Sequence, residues 1–252
     1  MFRSVPFRGL VNFVGLKNFI DIFQSPAYLQ SIVVTLIFGL LVTVLGVGVS
    51  LVIAKMLDVV VRGVGFYQAA VIWPYAISPT IAGIIWGFLF HPSHGSISYF
   101  LPFELNWLTN GEEALVLVIL AATWRQLGYN IAFYIAGLKA IPTSFQEAAV
   151  VDGANGWQRF WRITFPMLSP ITFFLVTMNL IYAFFRTFGL IHALTQGGPA
   201  GYTNLMIYKV YTDGFTDLRL GYSAAQSVIL LLFVAGITMF QFKFAERRVA
   251  YQ

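Results

Sequence analysis

Four stretches of this chain contain no Asp, Glu, Lys or Arg at all, and they limit the possible folds more than anything else in the sequence. They run from Tyr28 to Ala54, Gly63 to Phe103, Ile163 to Phe185 and Leu220 to Phe242, with lengths of 27, 41, 23 and 23 residues. A fifth run, Ala114 to Leu138, is interrupted only by Arg125. A helix needs roughly 20 apolar residues to cross a bilayer. Charged residues make up only 10% of the chain, against about 25% in a soluble domain, too few to cover a core of this size with a hydrated surface. The runs are continuous rather than alternating, which argues for helices and against a β-barrel. We therefore read an all-α integral membrane protein with five spans, near 31–54, 64–90, 114–138, 170–190 and 223–242. Residues 1–30 form an external or interfacial segment, in which GLKNFIDIF suits a short helix, and 31–252 the membrane domain.

The distribution of charge sets the orientation. The loops 55–63 and 139–169 and the tail 243–252 together hold eight Lys and Arg, including Arg62, Arg247 and Arg248, whereas the loops 91–113 and 191–222 hold two, Lys209 and Arg219. The positive-inside rule places the first set in the cytoplasm, with the C-terminus. Five spans would then leave Arg3, Arg8 and Lys17 outside, and a missing first span would remove that conflict. The formal net charge of +5 belongs to this topology and does not point to nucleic acid. The chain has no cysteine, which excludes disulfides and thiolate chemistry. His91 and His94, spaced H-x-x-H, are a weak metal signal. The sequence contains no phosphate-binding loop and no hydrolase or zincin motif, so neither ATP hydrolysis nor other enzymatic chemistry is expected of this chain.

Within the spans, Gly46, Ser50 and Ala54 recur at four-residue intervals and predict a close helix–helix face. Pro74 and Pro79 predict a kink in the second span. The polar residues at membrane depth are candidates for a substrate path: Arg125, Tyr129 and Asn130 in the third span, and Asn179 and Arg186 in the fourth. Arg186 is close enough to the end of its span to snorkel to the interface. The segment QGGPAGYTN is turn-rich.

The most charged insert is EAAVVDGANGWQRFWRITFP, residues 147–166. Ser144 and Glu147 have capping-box spacing, which predicts a helix over 145–152. Gly153 can end that helix in the left-handed conformation and Asn155 can cap a second one. On the second helix Trp157, Phe160 and Trp161 share a face, and Pro166 ends it. From these residues alone the insert reads equally as an interfacial loop or as a docking element.

The same insert resembles the EAA loop of ABC importer permeases, E-A-A, three residues, Gly, nine residues, then I-x-L-P. Glu147, Ala148, Ala149, Gly153, Ile163 and Pro166 match, and Phe165 replaces the usual leucine. WRQLGYNIAFYIAGLKAIPTSFQEAA, LTQGGP and FVGLKNF are similar to further segments of the carbohydrate-type branch. The last follows that family's first span, which supports a missing helix here. VRGVGFYQ, PTIAGIIWGFLFHPSHG, NLIYAFFRTF, IYKVYTDGFTDL, AAQSVIL and ERRVAYQ resemble the permeases of sn-glycerol-3-phosphate importers. Many relatives carry an acidic residue where Arg186 stands.

The resemblance implies the MetI-like permease fold and a multi-pass subunit of the bacterial inner membrane. It also implies import of sn-glycerol 3-phosphate or glycerophosphodiesters by alternating access. Implied partners are a second homologous permease, two ATP-binding subunits that hold ATP and Mg, a periplasmic substrate-binding protein and membrane lipid. Glu147, Ala148, Ala149, Asp152, Gly153, Trp157, Phe160, Ile163 and Pro166 would form the coupling loop. This chain would bind no cofactor of its own. The alternatives are a neutral-sugar permease of the same family, or a stand-alone secondary transporter or channel.

Overall fold

The computed structural model describes residues 2–4, 11–59 and 64–245. Arg8, Arg62, Arg247 and Arg248, which entered the orientation argument, lie outside them. A short antiparallel pair joins β1 (Phe2–Ser4) to β2 (Val11–Phe13), with Phe2 opposite Phe13. Every other regular element among the described residues is helical. GLKNFIDIF does give a helix, α1 (Lys17–Phe23).

Among the described residues, three helices are long and apolar enough to cross a membrane unbroken. They are α2 (Pro26–Val59), α5 (Gly111–Ala140) and α12 (Leu220–Ala245). At 1.5 Å per residue α5 is about 45 Å long, more than a hydrocarbon core of about 30 Å requires. Its start is closed by Asn110, whose side chain accepts from the Glu112 and Glu113 amides at 3.1 and 3.4 Å. Acidic residues in the first turn and Lys139 in the last both oppose the helix dipole favourably.

The second and fourth expected spans are not single helices. The second is α3 (Val64–Ala76) and α4 (Pro79–Leu89), bent by 102° at Ile77–Ser78. A kink was expected; the structure has a complete break. Pro79 keeps Ser78 out of the helical region, and Ser78 takes φ −63°, ψ 150°. The Ser78 hydroxyl then accepts from the Ile81 amide at 3.3 Å and starts a new helix. Pro74, by contrast, sits inside α3. The fourth span, α9 (Ser169–Phe185), is shorter than expected: Arg186 caps its end and a separate helix α10 (Phe188–Leu194) follows. The helix α10 packs along α4. The short helix α11 (Met206–Tyr211) leads through a π turn, Thr212–Thr216, to α12.

The helices α2, α5 and α9 form the centre of the bundle. The Gly46–Ser50–Ala54 face is used as predicted. Ser50 and Ala54 are fully buried, and Ser50 donates to the Leu127 carbonyl at 3.4 Å. A Cβ on Gly46 would sit 3.0 Å from the Asn179 amide oxygen and 3.3 Å from the Asn130 amide nitrogen, so a larger residue would push on that pair by a few tenths of an ångström. The segment 195–203 is a tight turn, with Gln196, Gly197, Ala200 and Gly201 at positive φ and the Thr195 and Thr203 hydroxyls 2.7 Å apart. Lys209, expected as a loop cation, is paired with the buried carboxylate of Asp213 at 2.8 Å.

Candidate functional site

Two features could carry function: an exposed helical loop between α5 and α9, and a cavity between the same two helices.

The loop begins where Pro142 forces Ile141 into an extended conformation and stops α5. A new helix α6 (Thr143–Val151) starts at once, with Pro142 as its N-cap. The Ser144–Glu147 capping box does not form, because the proline starts the helix two residues earlier and Ser144 lies inside it. The turn at Gly153 forms as expected. Gly153 has φ +79°, its amide donates to the Val150 carbonyl at 3.0 Å, and the Ala154 amide donates to Ala149 at 2.9 Å. This is a Schellman closure, for which glycine has no Cβ penalty. Asn155 then caps α7 (Gly156–Arg159) and shares a reciprocal capping box with Gln158.

Pro166 does not end that helix. A π turn, Phe160–Thr164, leads into α8 (Phe165–Met167), which contains Pro166. The widened turn accommodates a ring that cannot fit a regular helix interior. The 65° bend into α9 falls at Leu168, just before Pro170.

Glu147, Ala148, Asp152, Gly153 and Pro166 are exposed, Phe160 and Ile163 are half-buried, and Ala149 is buried. Around Glu147 the loop leaves Phe145, Val150, Val151, Trp157 and Trp161 open, with Val151 87% exposed. Trp157 and Trp161 pack edge to face at 5.5 Å, and Trp161 also meets Phe165 at 5.0 Å. The loop therefore exposes apolar side chains together with the charges of Glu147, Asp152 and Arg162.

The cavity has a volume of about 340 Å³ and is lined by residues of α5, α9 and the α3–α4 break. Arg125, Gln126 and Tyr129 come from α5, and Met178, Ile181, Tyr182 and Arg186 from α9 and its cap. Tyr75 and Pro79 flank the break. Arg125 Nε donates to the Ile77 carbonyl at 2.9 Å. Breaking the helix at Pro79 frees that carbonyl, and the arginine satisfies it. The guanidinium carbon lies 5.6 Å from the ring centres of both Tyr75 and Tyr182. Arg186 is exposed at the rim and caps α9, where a cation suits the helix dipole.

Of the five path candidates, the structure brings together Arg125, Tyr129 and Arg186. Asn130 and Asn179 lie elsewhere. Both are fully buried and bond reciprocally between α5 and α9, at 2.8 and 3.3 Å, and Asn179 also donates to the Leu175 carbonyl at 2.7 Å. They form an interhelical clasp beside Gly46. Sequence reasoning missed Tyr75 and Tyr182. The only available signal was spacing: Tyr182 is four residues before Arg186, as Arg125 is before Tyr129. His91 and His94 stack with ring centres 3.6 Å apart, and no group of three or more potential metal ligands occurs among the described residues.

The fold is thus a helical bundle with two broken spans and an exposed Gly-turn loop after α5. The profile of the family "Binding-protein-dependent transport system inner membrane component" matches residues 10–251, and the chain belongs to that family. It is thus an inner-membrane, multi-pass permease subunit of a binding-protein-dependent ABC importer.

Among curated proteins, it is 50% identical over 252 residues to the sn-glycerol-3-phosphate transport system permease protein UgpA of Rhizobium meliloti (strain 1021), covering 99% of this chain and 86% of the relative. To the UgpA protein of Agrobacterium fabrum it is 51% identical over 243 residues, 95% of this chain and 83% of the relative. Among solved structures, a bacterial ABC transporter involved in the import of the acidic polysaccharide alginate superposes with a TM-score of 0.84 at 24% identity, over 94% of this chain and 85% of that one. This likeness supports the fold.

Proposed function

We propose that this permease moves sn-glycerol 3-phosphate, or glycerophosphodiesters, across the inner membrane by alternating access, driven by ATP hydrolysed on partner subunits. The cargo reading rests on about half of all positions being identical to those of permeases named for that transport system. The observation that carries the mechanism is the exposed loop from α6 to α8, with Glu147 amid uncovered apolar side chains. It has the character of a docking surface, uncovered apolar side chains interspersed with charged ones.

The loop joins α5 to α9, and these two helices supply most of the cavity lining. Its joints are stiff: Pro142 at one end, and Pro166 and Pro170 at the other. A push on α6 therefore passes to both helices and moves the cavity walls relative to each other. In this scheme two ATP-binding subunits, which also hold ATP and Mg, press on the loops of this chain and of a second, homologous permease. A periplasmic binding protein delivers cargo from the opposite side. The C-terminus lies with the loop in the cytoplasm. Residues 31–252 form the transporting domain, and 1–30 an external or interfacial segment.

The test is reconstitution of the full complex in proteoliposomes, with uptake of radiolabelled sn-glycerol 3-phosphate as the readout. Uptake is expected to need ATP and the binding protein, and Glu147→Lys is expected to abolish it and to weaken co-purification of the ATP-binding subunits. Uptake driven by an ion gradient without ATP would overturn the importer mechanism. Import of a neutral disaccharide but not of the phosphate ester would overturn the cargo.

A further inference from the structure

The α5–α9 cavity concentrates positive charge without neutralising it. The helix α5 contributes Arg125 and, one turn on, Tyr129; α9 contributes Tyr182 and, one turn on, Arg186. The salt bridges among the described residues are Lys55–Asp58 and Lys209–Asp213, so neither arginine is in an ion pair there. None of the nine lining residues is acidic. Two guanidinium groups around about 340 Å³ without a carboxylate repel each other, and a bound anion would relieve that repulsion.

Tyr182 lies beside Arg125 and adds a hydroxyl to the same site. The residue is only 3% exposed, and its buried hydroxyl has no hydrogen-bond partner among the described residues. A buried hydroxyl left unpaired is costly and rare. Tyr182 belongs to the buried core cluster and also lines the cavity. Arg125 is oriented in advance by its Nε–H bond to the Ile77 carbonyl, which fixes the plane of the fork. Beside Arg125, the rings of Tyr75 and Tyr129 lie 5.3 Å apart and add aromatic surface to the lining.

We propose that Arg125, Arg186 and the Tyr182 hydroxyl form the phosphoryl subsite of the cargo path. The phosphate monoester is held between the two guanidiniums and accepts from Tyr182, with its three-carbon body along Tyr75 and Tyr129. This rests on the cargo reading above and adds the residues that recognise the phosphate. Arg186, at the exposed rim, meets the anion first. Arg125, tied to the α3–α4 break, is the deeper contact, so cargo binding bears directly on the broken helix.

The test uses the assembled complex with its binding protein in proteoliposomes and measures initial uptake of sn-glycerol 3-phosphate over a concentration series. Arg186→Gln is expected to lower the maximal rate about tenfold or more, the scale of a lost charge-assisted hydrogen bond. The half-saturating concentration is expected to stay near wild type, because the binding protein sets it upstream. Arg186→Lys, which keeps the charge but loses the fork, should recover part of the rate. Tyr182→Phe should cost several-fold. Wild-type rates in both Arg186→Gln and Tyr182→Phe, in a complex that imports the phosphate ester, would overturn the subsite and leave the cargo reading intact. Failure of the wild-type complex to import the ester would overturn both. Loss of subunit co-purification in both Arg186 variants would make Arg186 structural and overturn its role here.

Discussion

The Asn130–Asn179 clasp makes a quantitative prediction. Asn to Leu is close to isosteric, with the same branching at Cγ, so it removes polarity with little change in volume. In Asn130→Leu, Asn179 keeps its bond to the Leu175 carbonyl, so its nitrogen stays bonded, while its amide oxygen and second N–H lose their partner. In Asn179→Leu, Asn130 loses both the donor and the acceptor that face it. Each orphaned buried group costs about 1–3 kcal/mol, so Asn179→Leu should be the worse of the two, at about 2–4 kcal/mol against about 1–2 kcal/mol for Asn130→Leu. The double variant exchanges a polar pair for an apolar one and should lose about 1–2 kcal/mol less than the sum of the single variants. The expected coupling is about 1–2 kcal/mol, from two interhelical bonds averaging about 0.6 kcal/mol in membrane proteins plus relief of the orphaned groups. The assay is equilibrium unfolding in mixed micelles for the wild type, both single variants and the double variant. Additive losses, within about 0.5 kcal/mol, would show that the two amides do not act as a pair.

Three further outcomes are expected. At Gly153 a Cβ meets nothing within 4 Å, so substitution there is limited only by the positive φ. Gly153→Asn should keep ATP-dependent uptake near wild type, while Gly153→Val disfavours the turn by about 1–2 kcal/mol and lowers uptake; equal uptake by all three would remove the turn from coupling. Val151→Asp, at an 87% exposed position, should change the permease's own stability by less than about 0.5 kcal/mol while reducing recovery of the ATP-binding subunits in pull-down. Asp213 is 1% exposed and is held by Lys209 and the Gln226 amide, so Asp213→Leu alone should destabilise by about 3–5 kcal/mol. Adding Lys209→Met should restore most of that loss in thermal unfolding, and no restoration would refute the pairing.

The sequence by itself determined the elements with local causes. Long uncharged runs dictate helices at bilayer length, because a backbone in lipid must satisfy its own hydrogen bonds. The Gly153 turn and the Asn155 cap were legible because each involves groups within a few residues. Local signals also misled: the Ser144–Glu147 spacing lost to the neighbouring Pro142, and Pro166 was absorbed by a π turn instead of ending its helix.

Only the tertiary structure decided how far the second span turns at Pro79 and what the polar residues at membrane depth do. Arg125 finds its acceptor 48 positions away, at a carbonyl freed by the 102° break. Asn130 finds its partner 49 positions away and so leaves the path for the core. The pairing of Arg125 with Arg186 around one cavity depends on how α5 and α9 pack. Spacing along the chain sets which side chains share a helix face; which faces meet is set by the packing of distant segments, and that contact separates a clasp from a candidate binding site.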